Sequence, residues 1–273
     1  VRALADEGFC VKYVNITAEG QVDVNHLASM MSDRVGLVTC MHVNNIMGQI
    51  QPIPEIAEIV SQYPKAHFHV DAVQAIGKIP LYFNQVDSIS LSGHKFNGLK
   101  GQGVLFVRNI HQLAPIMYGG GQEFGIRSGT VNLPTNIAIV KAMKSAVLNQ
   151  ASTFNMLQTL KTQLISFIEE FQGVYLNSPE GSSPHIINIA FPGVKGEVLV
   201  NAFSKYDVML STTSACSSKK ASLNEVLLAM GITEKRIEGS IRLSLGSHTT
   251  VEDIENFKAQ FIKVYEEVKE LLK

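Results

Sequence analysis

A lysine at the end of a predicted strand is the residue with the clearest chemical potential in this chain of 273 residues. Residues 88–92 alternate between serine and aliphatic side chains, which predicts a strand, and Gly93 interrupts the pattern two positions before Lys95. A side chain at the carboxyl end of such a strand lies at the ligand-binding crevice of an α/β protein. A desolvated lysine there loses its proton readily and can form a Schiff base with a carbonyl group. The alternative is an ordinary solvated lysine after a turn.

An aspartate ends a second predicted strand, at residues 67–71. Strand alternation places His67, His69 and Asp71 on one face, with Asp71 at the crevice edge. A carboxylate there can keep a ring nitrogen protonated, as pyridoxal 5'-phosphate (PLP) requires. The order strand, aspartate, strand, lysine therefore fits a PLP site of the aspartate-aminotransferase fold. The same three residues also resemble the ligand set of a metal hydrolase, and this alternative stays open.

Six motifs, in order along the chain, resemble those of the class V aminotransferase-like PLP enzymes and, among them, the NifS/IscS group of cysteine desulfurases. The motifs are His-Val-Asn-Asn-x-x-Gly at 42–48, His-Val-Asp-Ala-x-Gln at 69–74, Ser-Gly-His-Lys at 92–95, Gly-Gly-Gly-Gln-Glu at 119–123 leading into Arg-Ser-Gly-Thr at 127–130, Ser-Ala-Cys-Ser-Ser at 214–218, and Ser-Ile-Arg-Leu-Ser-Leu-Gly at 240–246. Each motif alone is weakly specific, whereas the set indicates the family. The resemblance implies the α/β fold of PLP-dependent transferases of fold type I (aspartate-aminotransferase-like).

The resemblance also implies roles for individual residues around the cofactor. Lys95 would carry the PLP and shuttle a proton, and Asp71 would pair with the ring nitrogen. The remaining expected contacts are Asn45 and Gln74 to the phenolic oxygen, Ser92 and His94 to the phosphate, and Thr130 to the phosphate of the neighbouring subunit. The complete site would therefore belong to a homodimer. Without the resemblance, these polar residues could equally be turn, strand and helix-surface positions.

Cys216 is expected to define the reaction. It lies in a small, polar stretch typical of a loop, and by resemblance it attacks the sulfur of L-cysteine, becomes a persulfide and releases L-alanine. Lys219 and Lys220 would favour its thiolate. Thr213 stands where the family has glycine, which would stiffen the loop. Arg242 would clamp the substrate α-carboxylate, with Asn45 nearby, unless a structural salt bridge explains a guanidinium within an apolar strand.

The predicted activity is PLP-dependent cysteine desulfuration, with an iron–sulfur cluster scaffold or a tRNA-thiolating enzyme as sulfur acceptor. One alternative is another class V enzyme, an aminotransferase or a selenocysteine lyase, although Cys216 argues against a plain aminotransferase. A second is a metal hydrolase that uses His67, His69 and Asp71. A third is a non-catalytic interaction protein.

Composition argues against several other classes. The chain is 45% hydrophobic and 17% charged with a net charge of −1, which does not favour binding to nucleic acids or to a membrane surface. The sequence has no apolar run long enough to cross a bilayer. Cys10, Cys40 and Cys216 cannot all pair and lack zinc-ligand spacing, so a reducing cytoplasm is the expected location.

Alternating strand and helix patterns predict a large, mostly parallel sheet followed by a small α+β domain. The predicted strands are residues 10–14, 35–43 (a buried strand), 67–71, 86–92, 103–108, 186–191, 208–211 and 241–245. Residues 1–150 would form the C-terminal part of the large PLP-binding domain, and residues 151–273 the small domain with the cysteine loop. The family's phosphate loop and ring-stacking histidine lie upstream of the position that matches Val1, so we expect an N-terminally incomplete sequence.

Overall fold

Two four-stranded sheets organise the chain, which is described here from a computed structural model covering residues 2–213 and 223–272. The first sheet contains β1 (Leu37–Met41), β2 (His67–Asp71), β3 (Ser88–Ser92) and β4 (Gly103–Val107), in that spatial order. β1, β2 and β3 are parallel, and β4 is antiparallel to β3. The carboxyl ends of the parallel strands therefore meet at one edge, where β2 ends with Asp71 and β3 leads to Lys95.

Helices precede, connect and follow these strands. Their bounds are α1 (Arg2–Asp6), α2 (Val24–Met30), α3 (Ile53–Ser61), α4 (Leu133–Leu148) and α5 (Gln150–Ile168). α3 has a proline in its first turn and buries Ile56 and Val60 in a core shared with Phe68 and Ile89 of the sheet. No helix within the described part of the chain is long and apolar enough to cross a membrane.

The second sheet is entirely antiparallel. It contains β5 (Tyr175–Leu176), β6 (Ile186–Ala190), β7 (Ser211–Thr212) and β8 (Ser240–Ser244), in the order β5-β6-β8-β7. The later helices are α6 (Gly196–Ser204), α7 (Glu225–Ala229), α8 (Glu234–Glu238) and α9 (Val251–Val268). Phe203, Phe257 and Phe261 pack together between α6 and α9, and Thr250 and Asp253 form a capping box that begins α9.

The predicted mostly parallel α/β architecture is confirmed, and several element predictions need correction. The strand expected at residues 10–14 is wrong, because the segment makes no ladder and its neighbour Ile16 forms only an isolated bridge. β1 is not fully buried, since Leu37 and Met41 are 48% and 39% exposed at the sheet edge. The strand expected at 208–211 pairs only at Ser211–Thr212. The predicted division at residue 150 falls where α4 meets α5, and it stays a prediction.

Candidate active site

A tight 3-10 turn positions Lys95 at the exit of β3. The turn spans Gly93–Phe96 and ends at Asn97, which adopts a left-handed conformation with φ 64°. A Cβ atom on Gly93 would lie 3.0 Å from Ile139 Cδ1 and 3.2 Å from two backbone carbonyl oxygens, so the close packing of the turn against α4 requires glycine there. The sequence Ser-Gly-His-Lys therefore fixes the backbone from which Lys95 extends.

The amine of Lys95 lies half-buried in a cationic environment. Its pKa is lowered from the ordinary value, first by burial and second by the charge of Arg242. The Lys78 ammonium donates a 2.6 Å hydrogen bond to the backbone carbonyl of Lys95. Within the described residues, the Lys95 amine itself makes no hydrogen bond. Lys95 can therefore supply a neutral amine closer to neutral pH than a solvated lysine can.

Asp71 occupies the adjacent strand end. In the parallel register Asp71 pairs with Ser90, so the aspartate and the turn after β3 lie at the same sheet edge. Its side chain is exposed, and Oδ1 accepts a 2.9 Å hydrogen bond from the Val73 amide. Gln74 follows in the same segment, is half-buried and lines the same cavity as Lys95.

The histidines of β2 form hydrogen bonds to serines of the neighbouring strand β3, which argues against the metal-site hypothesis. His69 forms hydrogen bonds through Nδ1 to Ser88 Oγ and through Nε2 to Ser90 Oγ, both at 2.7 Å. His67 Nε2 lies 2.8 Å from the same Ser88 hydroxyl. Among the residues the structure describes, no group of three or more His, Cys, Asp or Glu side chains could hold a metal ion. The structure therefore gives no support to the alternative of a metal hydrolase using His67, His69 and Asp71, because both ring nitrogens of His69 lie at hydrogen-bond distance from serine hydroxyls.

Ser92 and His94 form a hydrogen-bonded pair beside the lysine. The Ser92 hydroxyl lies 2.9 Å from His94 Nδ1, and His94 is exposed at the rim of the cavity. A hydroxyl and an imidazole at one rim are suitable donors to an anionic group. The structure thus brings the two predicted phosphate ligands together.

Arg242 on β8 reaches across to the loop after β1. Its Nη1 donates a 2.8 Å hydrogen bond to the backbone carbonyl of Asn45, a residue 197 positions earlier. Nε and Nη2 donate to the hydroxyls of Ser244 and Ser211, at 3.1 Å and 3.4 Å. The predicted substrate contacts Asn45 and Arg242 are therefore neighbours, although the link runs through the asparagine backbone.

A cavity of about 930 Å³ lies between the two sheets, beside Lys95 and Arg242. The predicted site residues that line it are Gln74, His94, Lys95 and Arg242. Thr130 lies elsewhere, exposed in a loop after the Met117–Arg127 bridge, and Cys216 lies outside the described residues. Before that segment, Thr213 is buried and its hydroxyl donates to the Ser240 carbonyl at 3.4 Å.

Sequence reasoning missed two residues that line the same cavity, Lys78 and His185. Lys78 follows a glycine turn, and His185 precedes the apolar strand β6. Neither position has a distinctive local pattern, since a lysine after a turn and a histidine before a strand are both ordinary. The neighbouring ends of β2 and β3 bring Lys78 next to Lys95, and the packing of the second sheet against the first brings His185 to the same cavity.

The comparisons with known proteins agree with this geometry. Residues 1–257 match the family model described as aminotransferase class-V. A NifS/IcsS protein homolog of Lactobacillus delbrueckii subsp. bulgaricus is 37% identical over 268 residues, covering 96% of this chain and 70% of the relative. Cysteine desulfurase IscS of Clostridium botulinum is 36% identical over 274 residues, covering 98% of this chain and 69% of the relative.

Among solved structures, one titled NIFS-LIKE PROTEIN superimposes with a TM-score of 0.89 at 34% identity. The superposition covers 99% of this chain and 71% of the solved chain. The similarity therefore extends over both sheets and includes the cavity between them.

Proposed function

The chain belongs to the class V aminotransferase family, and from this membership we propose that it is a PLP-dependent cysteine desulfurase like its NifS/IscS relatives. The reaction converts L-cysteine to L-alanine and transfers the sulfur to Cys216 as a persulfide. One observation carries the proposal. An amine of lowered pKa, Lys95, and a guanidinium, Arg242, line one cavity at the end of a parallel sheet. A reaction at an amino acid needs both groups: the guanidinium binds its carboxylate, and the amine transfers protons.

The residues present fit the cofactor. Lys95 has a side-chain amine with no hydrogen-bond partner among the described residues, and the exposed Asp71 carboxylate lies at the neighbouring strand end. Lys95 would hold PLP covalently and Asp71 would hold its ring nitrogen. The remaining proposed contacts are Asn45, Gln74, Ser92, His94 and, from a second subunit, Thr130. When bound, PLP supplies an electron sink for the Cα of the amino acid.

Three side chains of the protein have separate proposed roles in the reaction. Arg242 binds and orients the α-carboxylate of L-cysteine with paired N–H donors, as a guanidinium does at fixed geometry. Lys95 moves protons within the cavity, because its lowered pKa makes the amine release its proton more readily than a solvated lysine does. The Cys216 thiolate forms a bond to the substrate sulfur while the substrate C–S bond breaks. A proton on the former Cβ then completes L-alanine.

A homodimer is part of the proposal. Ile116, Tyr118 and Phe124 are 88%, 84% and 87% exposed in the segment that leads to Thr130. Large exposed apolar patches are typical of protein interfaces. A second subunit that covers this segment would bring Thr130 to its neighbour's cofactor.

The persulfide must be delivered to a further protein. A cluster scaffold or a tRNA-thiolating enzyme is the proposed acceptor, and a reducing cytoplasm is the proposed location, because the Cys216 thiol must be regenerated after each turnover.

The test separates substrate binding from sulfur transfer. Cys216→Ser in PLP-loaded protein should retain the spectral change on adding L-cysteine, because Lys95 and Arg242 remain. It should lose persulfide formation and most sulfide release. Cys10→Ser, which alters an exposed thiol far along the chain, is the matched control. A Cys216→Ser variant with unchanged desulfurase rates would instead favour the lyase or aminotransferase alternative.

A further inference from the structure

Two lysines that line the cavity, Lys78 and Lys95, have N–H donors without hydrogen-bond acceptors among the described residues. Lys78 Nζ donates to the Lys95 carbonyl, and its other two N–H donors have no acceptor within the described part of the chain. Burial and the charge of Lys95 lower the pKa of Lys78 to about 8. The Lys95 amine beside it is also without a hydrogen-bond partner there. Two lysine side chains thus enter one cavity wall without a counter-charge.

His185 is the most unusual group of this region. It is only 3% exposed, immediately precedes β6 and lines the cavity, and its carbonyl accepts the Leu245 amide at 2.9 Å. Both ring nitrogens are buried and lack a hydrogen-bond partner among the described residues. Buried polar atoms are nearly always paired, so an orphaned imidazole that borders a cavity indicates a missing ligand.

The charges that face His185 all have the same sign. Burial lowers the His185 pKa most, and the charges of Lys78, Lys161, Lys95 and Arg242 lower it further, in that order, to about 3. His94, Lys141 and His248 also line the cavity, and no described lining residue is an aspartate or glutamate. Lys161 is different from Lys78, because its ammonium already donates to Ser182 O, Ser182 Oγ and Ser183 O.

We propose that Lys78 and His185 form a binding site for a small oxyanion of carboxylate size, next to the Lys95 amine. The site is separate from the contacts proposed for the substrate, which use Arg242, and from those for the cofactor phosphate, which use Ser92 and His94. Its occupant is either a free oxyanion or a carboxylate side chain of a polypeptide segment. Both accept hydrogen bonds from ammonium and imidazole groups in the same way.

Occupancy has a consequence for Lys95. A bound anion favours the charged forms of the Lys78 and Lys95 ammonium groups and of the His185 imidazole. It therefore raises the pKa of Lys95 and of His185. An oxyanion bound in this site therefore reduces the fraction of neutral Lys95 amine at a given pH. The proposal goes beyond the desulfurase activity, since it rests on contacts of the protein alone.

The experiment follows the His185 ring by NMR in histidine-labelled protein, with the resonance assigned by its loss in His185→Asn. Acetate and sulfate are titrated at constant ionic strength against chloride, in cofactor-free protein and in protein with PLP fixed on Lys95 by borohydride. We expect saturable shifts of the His185 resonances and a pKa raised by roughly one unit or more in both forms. Lys78→Met should weaken the apparent affinity by roughly tenfold or more, and Lys144→Met, on the exposed part of α4, should not.

The outcomes separate the two sources and the two proposals. One outcome identifies a carboxylate side chain as the occupant. In that case the His185 pKa is near its ordinary value without added anion, acetate does not change it, and Lys78→Met lowers it. A low pKa at every acetate and sulfate concentration overturns the proposal. So does an effect that disappears once PLP is fixed on Lys95, because the anion then belongs to the cofactor's phosphate site. Protein that fails to bind PLP but still binds acetate at His185 contradicts only the desulfurase proposal.

Discussion

Two polar clusters flank the strand pair β6–β8, and they differ in how completely their hydrogen bonds are formed. In the first, Asn177 donates to Asn188 Oδ1 at 2.8 Å and to Ser240 Oγ at 2.9 Å, while Arg236 donates to Asn177 Oδ1 at 2.6 Å. Asn188 also donates to the Ile46 carbonyl at 3.2 Å. In the second cluster, Lys78, Lys95 and His185 have donors and ring nitrogens without partners in the described part of the chain.

The first cluster positions neighbouring residues, whereas the second contains the chemically reactive groups. Asn188 pairs with Arg242 across β6 and β8, and its amide holds the loop that also carries Asn45. The complete network thereby holds the loop whose Asn45 carbonyl accepts from the Arg242 guanidinium, because a satisfied buried network permits few alternative geometries. The incomplete cluster retains groups whose proton affinity is shifted and whose hydrogen-bonding capacity remains for ligands.

The largest expected effect comes from the incomplete cluster. Lys95→Ala should lower the desulfurase rate by a factor on the order of 10³ or more, because it removes the cofactor attachment and the proton carrier together. Thermal stability should change little, since the amine makes no hydrogen bond within the described residues. The measurement is alanine production, with mass spectrometry of borohydride-treated protein. Lys100→Ala, at an exposed position nearby, is the control, and PLP found on another lysine would contradict the assignment.

Arg242→Lys tests the link between the clusters. A lysine retains the charge and loses the paired donor geometry, so kcat/KM for L-cysteine should fall by roughly 100-fold, mainly through KM. Steady-state kinetics measure this change. Arg108→Lys is a matched control, because Arg108 donates to the Val86 and Phe83 carbonyls away from the cavity. An unchanged KM in Arg242→Lys would show that another group binds the carboxylate.

Asn188→Ala should act on stability more than on chemistry. The substitution removes the partner of a buried Asn177 N–H donor and of the Ile46 carbonyl, which costs about 2–3 kcal/mol of unfolding free energy. Denaturant unfolding measures the change. Asn84→Ala, at an exposed position, provides the comparison. If both variants unfold at the same denaturant concentration, the satisfied cluster does not hold the two sheets together.

The smallest effect is a pH dependence of stability. Burial lowers the pKa of His42 to about 4, and burial with nearby cations lowers that of His185 to about 3, each below the unfolded value of 6.5. Between these values and 6.5 the unfolded chain binds more protons, so stability falls as the pH falls through this window. The loss between pH 7 and pH 6 should be about 0.5–1 kcal/mol for each histidine.

Chemical denaturation at the two pH values measures this dependence, and His185→Asn should reduce it. Acetate should reduce it as well, because an anion that raises the His185 pKa brings it closer to the unfolded value. A dependence that His185→Asn leaves intact would assign the effect to other groups.

The fold and much of the site could be predicted from local patterns. The serine and aliphatic alternation of residues 88–92 and the histidine alternation of 67–71 both became strands, with Asp71 and the Lys95 turn at one sheet edge. The segment at 10–14 was predicted wrongly, because strand propensity does not supply a pairing partner. The roles of all the predicted site residues, Cys216 and Thr130 included, stay predictions.

The sequence by itself determined the strand ends, the glycine turn before Lys95 and the family, because these depend on residues close together in the chain. The tertiary structure alone decided that Arg242 meets Asn45 and that Lys78 and His185 border the Lys95 cavity. Such contacts join residues on different strands or different sheets, and no local periodicity encodes them. Their proton affinities are equally a tertiary property, since desolvation and neighbouring charges exist only once the two sheets pack together.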